Sequence, residues 1–148
     1  MNDYLFVRIP RTASTSICQA LNVWPNHKTA LMWKERLGDE WNQTFKFTIV
    51  RHPYDRFLSM CQYFWVDPDK FEDDRRFRPQ MDYIHELDYI GRFEDLDNSW
   101  EHICKQIDRN VTKLNHLKES KTTVTLTPQQ KKKVYNYYRN DFRLLNYS

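Results

Sequence analysis

Two apolar runs, each followed by polar residues and then by a helical pattern, constrain the fold of this chain more than any other feature. The first run, Tyr4 to Ile9, is broken only by Arg8, and Pro10 ends it. The second run, Phe45 to Val50, leads directly into Arg51. Such runs predict buried strands, and the apolar positions that resume at helical spacing predict a helix after each. The repeated order of strand, turn and helix favours an α/β fold in which a central parallel sheet is flanked by helices.

The turn after the first strand has the composition of an anion site. Arg11 supplies a fixed positive charge, and the hydroxyls of Thr12, Ser14, Thr15 and Ser16 can donate hydrogen bonds. A loop of small residues at a helix N-terminus also presents unpaired backbone N–H groups at the positive end of the helix dipole. The pattern indicates a phosphate or sulfate site. An ordinary turn with hydroxyl capping is the alternative that this segment alone leaves open.

A second cationic position follows the second predicted strand. Arg51 stands at the end of that strand, and Pro53 occupies a place that the first turn of a helix tolerates. Ser59 lies eight residues after Arg51, about two helical turns further on. An arginine in this position can bind a phosphate through two parallel hydrogen bonds.

Taken together, the two segments resemble a known pair of motifs. I-P-R-T-A-S-T-S (Ile9 to Ser16) and R-H-P-Y-D-R-F-L-S (Arg51 to Ser59) are similar to the nucleotide-binding motifs of sulfotransferases that use 3′-phosphoadenosine 5′-phosphosulfate, PAPS. The likeness is greatest to the carbohydrate (heparan 2-O-type) and related microbial branch. It implies a P-loop-like three-layer sandwich, PAPS as sulfate donor, adenosine 3′,5′-bisphosphate (PAP) as product, no metal, and an acceptor hydroxyl carried by a carbohydrate.

The resemblance also implies roles for individual residues. The 5′-phosphosulfate is expected to contact the first loop, and the 3′-phosphate is expected to contact Arg51 and Ser59. The first-loop positions are Arg11, Thr12, Ala13, Ser14, Thr15 and Ser16. The family usually has lysine where this chain has Arg11. Arginine binds and stabilises negative charge but does not give up a proton, so we expect Arg11 to retain binding and to slow the chemistry.

Further site residues follow from the same resemblance. The general base of the family often comes from the interval between the two motifs, which makes His27 the candidate, and an imidazole titrates in a suitable range. A purely structural histidine is the alternative left open. Phe93 is expected to pack on the adenine, with a simple core aromatic as the alternative. Lys118, Ser120 and Lys121 are expected to contact the nucleotide from a late loop.

Other segments have weaker signals. Residues 66–83 have mixed charge and no clean period, which predicts a long surface loop, and its arginines (Arg75, Arg76 and Arg78) are expected to help hold the acceptor. Thr29 is predicted to cap a helix that directs Leu31, Met32 and Leu37 inward and ends at Gly38. A closing helix capped by Thr127 is predicted to pack on the sheet.

The length, charge, hydropathy and cysteine content of the chain narrow the class of protein further. The chain has 148 residues, enough for one domain (residues 1–148), and a net charge of +3. The charge is concentrated after residue 104, where it reaches +7. Such charge suits either a nucleic acid or a bisphosphate site and does not by itself decide between them; we expect no specific nucleic-acid partner. No apolar run reaches 18 residues and no leader is recognised, which predicts a cytoplasmic protein without a membrane span. Three cysteines without a close pair predict buried thiols. Oligomeric state stays open.

Two other functions stay open. A P-loop kinase would share the strand, loop and helix, but the chain has only two glycines, neither in the first loop, and lacks G-x-x-x-x-G-K-[ST]. A non-catalytic module that binds a nucleotide or a sulfated glycan is the second alternative, which Arg11 makes more plausible.

Overall fold

The computed structural model describes residues 3–115 and 125–148, which form a small parallel sheet flanked by helices. The strands are β1 (Tyr4–Phe6), β2 (Phe45–Val50) and β3 (Tyr89–Arg92), and they are ordered β1-β2-β3. Both pairings are parallel, with Phe6 opposite Phe47 and Ile49 opposite Gly91. The predicted α/β class with a parallel sheet is thereby confirmed, and the P-loop-like three-layer arrangement stays a prediction.

Helices occupy most of the remaining described chain. The α-helices are α1 (Ser14–Leu21), α2 (Ala30–Leu37), α3 (Pro53–Phe64), α4 (Leu96–Gln106), α5 (Pro128–Tyr137) and α6 (Arg139–Leu144). Short 3-10 helices lie at Gly38–Gln43, Arg75–Phe77, Gln80–Tyr83 and Phe93–Asp95. Over the ranges that the structure describes, the longest helix has 12 residues, and none is long and apolar enough to cross a bilayer, for which about 20 residues are needed.

The sheet has a packed cluster on each face because neighbouring strand residues point to opposite sides. Phe47 and Ile49 belong to a buried cluster with residues of α1 and α4, such as Ile17 and Trp100. Val50 belongs to a second cluster, which includes the side chains that follow β1 and the buried Trp41 and Tyr83. The side chains of β2 therefore alternate between two packed faces, and the face of Val50 also buries the polar side chains of Lys46 and Thr48.

Gly91 allows α4 to lie directly on β3. A Cβ atom at this position would be 2.7 Å from Ile49 Cδ1 and 2.8 Å from Ser99 Cβ, so only glycine fits without displacement. Ser99 also accepts a hydrogen bond of 3.0 Å on Oγ from the backbone N–H of Arg92. The contact therefore fixes the end of β3 against α4.

The closing helices pack on α3, and the prediction that they pack on the sheet is largely wrong. The capping box of Thr127 and Gln130 is present, as predicted, but Tyr138 divides the predicted single helix into α5 and α6. Tyr138 and Phe142 join a buried aromatic cluster with Phe57 of α3. Aromatic partners on α3 provide a larger apolar surface than a sheet of three strands whose two faces are already covered.

Two further predictions are corrected by the structure. Leu31 and Met32 are 56% and 50% exposed, because Ala30 is the α2 residue that is buried in the core, beside Trp41. Residues 66–83 are not a surface loop, since they contain two of the 3-10 helices and buried aromatic side chains such as Phe77. Short 3-10 turns have neither a helical nor a strand period, so the hydrophobic pattern does not reveal them.

Candidate active site

A cavity of about 890 Å³ lies where the predicted phosphate motifs meet the end of β3. Ligands of parallel α/β sheets bind in this region, beyond the carboxyl ends of the strands. The wall is strongly cationic, with two carboxylates, Glu94 and Asp97, among its lining residues. The arginines that line it are Arg8, Arg11, Arg51, Arg75, Arg76 and Arg78. A cavity with this charge is suited to a ligand that carries several negative charges.

The first loop adopts a conformation that is unusual for residues other than glycine. Arg11 and Ala13 have φ angles of 63° and 67°, in the left-handed region. Each such residue costs about 1–2 kcal/mol, and strain of this kind is concentrated at functional sites. Ala13 is the N-cap of α1 and has no side-chain group that could cap the helix. The first N–H groups of α1 are consequently left to a ligand or to water.

The hydroxyls of the first loop have different surroundings. Thr12 is fully buried and donates to the Ile9 carbonyl at 3.0 Å, so its hydroxyl stabilises the turn. Ser14 accepts from Arg8 Nε at 3.2 Å, and Ser16 donates to the Asn115 carbonyl at 2.6 Å. Ser14, Thr15 and Ser16 line the cavity, whereas Thr12 does not. The roles predicted for these residues in binding the 5′-phosphosulfate stay predictions.

Arg11 joins the two motifs. Its Nε donates to Ser59 Oγ at 2.9 Å, across 48 residues of sequence, and its guanidinium lies 4.4 Å from the centre of the Tyr63 ring. Burial lowers the pKa of Arg11 from its ordinary value, an effect that Tyr63 partly offsets. Arginine titrates so far above neutrality that the group stays a cation. Arg11 and Ser59, which the resemblance assigns to different phosphates, are therefore direct neighbours.

Arg51 is held by the second motif and by the segment after α3. Its backbone N–H donates to Gln80 Oε1 at 2.9 Å, and Gln80 Nε2 donates back to the Arg51 carbonyl at 2.8 Å. The guanidinium lies 4.1 Å from the centre of the Phe93 ring. The structure thus brings Arg51, Ser59 and Phe93 to one cavity, as their predicted roles require, and those roles stay predictions.

Arg56 is a residue that the sequence analysis missed. The side chain is buried, and its guanidinium donates to the carbonyls of Pro10 at 3.0 Å and Arg78 at 3.1 Å. A further bond of 3.5 Å reaches the Arg76 carbonyl. Desolvation lowers the pKa of Arg56, and these carbonyls compensate the buried charge. A sequence signal existed, because Arg56 lies one helical turn from Pro53 and Met60 on the apolar stripe of α3.

His27 lies at the edge of the same cavity with one nitrogen engaged. Its Nδ1 is 3.0 Å from the Arg8 carbonyl oxygen, which can only accept a hydrogen bond. The Nδ1 atom therefore carries the proton, and the neutral ring has its lone pair on Nε2. Desolvation lowers the pKa of His27, the Arg8 carbonyl raises it, and the charges of Arg8 and Arg56 lower it further. The neutral imidazole is favoured at pH 7, which is the form that a general base needs.

The three arginines that were predicted to contact the acceptor form another part of the cavity wall. Arg76 pairs with Asp74 at 2.6 Å and lies 4.2 Å from the centre of the Phe64 ring. Arg75 and Arg78 line the cavity on the same segment. Their predicted contact with the acceptor stays a prediction.

Two other predictions concern the late loop and the metal. Lys118, Ser120 and Lys121 lie outside the described residues. Within residues 3–115 and 125–148, no group of three or more histidine, cysteine, aspartate or glutamate residues is arranged to hold a metal ion.

Fold and site define an α/β protein with a cationic cavity at the ends of parallel strands. The model of the Sulfotransferase family matches residues 2–67, which supports the predicted sulfotransferase family, and the carbohydrate (heparan 2-O-type) branch stays a prediction. The matched stretch holds both motifs but less than half of the chain. No curated protein and no solved structure matches the chain. The match supports transfer of a sulfuryl group in general.

Proposed function

We propose that this protein transfers a sulfuryl group from PAPS to a hydroxyl of a carbohydrate. The observation that carries the proposal is the direct contact between the two motifs, in which Arg11 Nε donates to Ser59 Oγ at 2.9 Å beside Arg51. A donor with phosphates at both its 3′ and 5′ positions needs two anion sites within the length of one nucleoside. The proposal is supported by the proximity of Arg11, Ser59 and Arg51, which line one cavity.

The proposed donor pose follows from the charges. Arg51 and Ser59 bind the 3′-phosphate, and the uncapped N-terminus of α1 binds the 5′-phosphosulfate. Phe93, whose ring already contacts the Arg51 guanidinium, packs on the adenine. This pose selects PAPS over ATP because ATP lacks the 3′-phosphate.

The proposed reaction is an in-line displacement at sulfur. The acceptor oxygen forms a bond to sulfur while the bond from sulfur to the 5′-phosphate oxygen breaks, and that oxygen keeps the electron pair. His27 Nε2 accepts the proton of the acceptor hydroxyl. Arg11 and the N–H groups of α1 stabilise the charge that develops on the departing phosphate. Arg11 acts by charge and hydrogen bonding only, since it cannot protonate the leaving oxygen.

Binding of the donor can be tested without an acceptor. Calorimetric titration with PAP, ATP and AMP should show selective binding of PAP. Arg51→Ala should weaken PAP binding by about 10–100-fold, because a hydrogen bond to a charged group contributes about 1.5–3 kcal/mol, and should leave AMP nearly unchanged. Arg143→Ala, an exposed position on α6, is the matched control. Tighter binding of ATP than of PAP would favour the kinase alternative, and equal losses for PAP and AMP would remove Arg51 from the 3′-phosphate site.

A non-catalytic binding module is the second candidate because Arg11 replaces the usual lysine. Incubation with PAPS labelled in the sulfuryl group and an oligosaccharide panel distinguishes the two. Transfer of label that is lost in His27→Gln supports the enzyme. Tight PAP binding without transfer to any acceptor supports the module, and Arg11→Lys then tests whether a proton donor restores turnover.

A further inference from the structure

The last residues of the chain contact the second phosphate motif through one carboxylate. The Tyr147 hydroxyl donates to Glu94 Oε1 at 2.6 Å, and Glu94 Oε2 accepts from the His52 backbone N–H at 2.9 Å. Glu94 itself lines the cavity. Both oxygens of this carboxylate are therefore engaged, one by the closing segment and one by the residue that follows Arg51.

Ring contacts strengthen the same connection. The Tyr147 ring meets the His52 ring edge-on at 5.3 Å between centres, and the Arg92 guanidinium lies 4.4 Å from the centre of the Tyr147 ring. Arg92 also donates to the Leu145 carbonyl. The closing segment thereby joins the end of β2 to the end of β3, the two places from which Arg51 and Phe93 reach the cavity.

The hydrogen bond from the Tyr147 hydroxyl to Glu94 belongs to a strong kind, because its acceptor is a carboxylate. An O–H group that donates to an ionised carboxylate forms a shorter and stronger bond than one between neutral groups. Burial and the neighbouring Glu94 both raise the pKa of Tyr147, so its hydroxyl keeps the proton that it donates.

We propose that Tyr147 is a positioning residue for the 3′-phosphate site, and this rests on the proposed function. Through Glu94 and the His52 amide it holds the turn after β2 in the orientation that presents Arg51 to the 3′-phosphate. The first loop has separate supports, the Thr12 hydroxyl and the Arg56 guanidinium. Loss of the Tyr147 hydroxyl should therefore affect recognition of the 3′-phosphate and spare that of the 5′-phosphate.

The test is Tyr147→Phe, which keeps the ring and removes the hydroxyl. PAP affinity should fall by about 3–10-fold, less than the full contribution of a hydrogen bond to a charged group because Tyr147 acts on the site indirectly, while AMP affinity changes less than about twofold. Tyr135→Phe is the matched control, since the Tyr135 ring also packs on Phe142, at 4.8 Å, without contacting Glu94. In a Glu94→Ala background, Tyr147→Phe should have no further effect on PAP affinity because both residues act through one contact.

The outcomes separate this inference from the proposed function. Wild-type protein that fails to prefer PAP refutes the donor assignment. Wild-type protein that prefers PAP, together with an unchanged PAP to AMP ratio in Tyr147→Phe, refutes only the role of Tyr147. Amide hydrogen exchange gives a readout that needs no ligand: the His52 N–H should exchange faster in Tyr147→Phe than in Tyr135→Phe, and equal rates would overturn the inference.

Discussion

Gly91→Ala should destabilise the protein although it adds a single methyl group. The new Cβ would lie 2.7 Å from Ile49 Cδ1, 2.8 Å from Ser99 Cβ and 3.0 Å from Ser99 Oγ. Ordinary contacts between carbon atoms are about 3.5–4.0 Å, so α4 or β3 must move by close to an ångström. The Ile49 methyl is the end of a flexible side chain and can turn aside. Ser99 cannot, because its Cβ is attached to the backbone of α4.

The expected loss of stability is set by Ser99, because its Cβ cannot move aside as the Ile49 methyl can. Overpacking of a close contact costs about 1–3 kcal/mol, and the upper half of this range is expected because the Ser99 Oγ bond to the Arg92 N–H is strained as well. For a chain of this size, 2 kcal/mol lowers the melting temperature by about 4–8 °C. Urea denaturation should show a lower midpoint with an unchanged slope.

A second variant identifies the cause. Ser99→Gly removes the two Ser99 contacts, so Gly91→Ala should cost less in that background than in the wild type, by about 1 kcal/mol or more. An additive pair of mutations would show that the distance between α4 and β3 does not set the cost. A stable Gly91→Ala protein would refute the packing argument outright.

Three other changes test the site and its surroundings. Ala13→Gly should raise the free energy of unfolding, measured by urea denaturation, by about 0.5–1 kcal/mol. Glycine removes the steric strain of the left-handed backbone at Ala13, where φ is 67°, although it also costs some conformational entropy. A loss of stability would contradict this argument. The pKa of His27 is lowered from 6.5, so protonation favours the unfolded chain; relative to His27→Gln, the wild type should lose stability as the pH falls below about 6.5, and an NMR-titrated pKa above 6.5 would oppose this. Burial raises the pKa of Cys61 to about 12, so native protein should react slowly with a thiol reagent at pH 8 and quickly in denaturant, and rapid native labelling would show an accessible thiolate.

The parts of the site that could be predicted are those whose conformation depends on residues nearby in the sequence. Arg51, Pro53 and the turn around Arg11 are fixed by neighbours within a few residues, so strand, turn and helix could be derived from composition and spacing. The confirmed parallel sheet follows from the same local order of elements. The predicted roles of the two motifs rest on resemblance, because composition alone does not distinguish a nucleotide site from a capped turn.

The residues that were missed act over long sequence distances. Gln80 binds Arg51 across 29 residues, and Tyr147 binds Glu94 across 53. Neither lies in a periodic segment, and a polar residue in an irregular segment has no sequence pattern that indicates a distant partner. The exposure of Met32 has a similar origin, since Ala30 is the α2 residue that enters the core beside Trp41. Which of several apolar residues fills a space is decided by packing in three dimensions.

Arg56 has a consequence for any attempt to redesign this protein. One guanidinium bonds the carbonyl of Pro10, next to the first loop, and the carbonyls of Arg76 and Arg78, in the segment proposed to meet the acceptor. The two halves of the cavity therefore share a common anchor. Substitutions that reshape the proposed acceptor wall should therefore also displace the first loop, so the specificities proposed for acceptor and donor should change together.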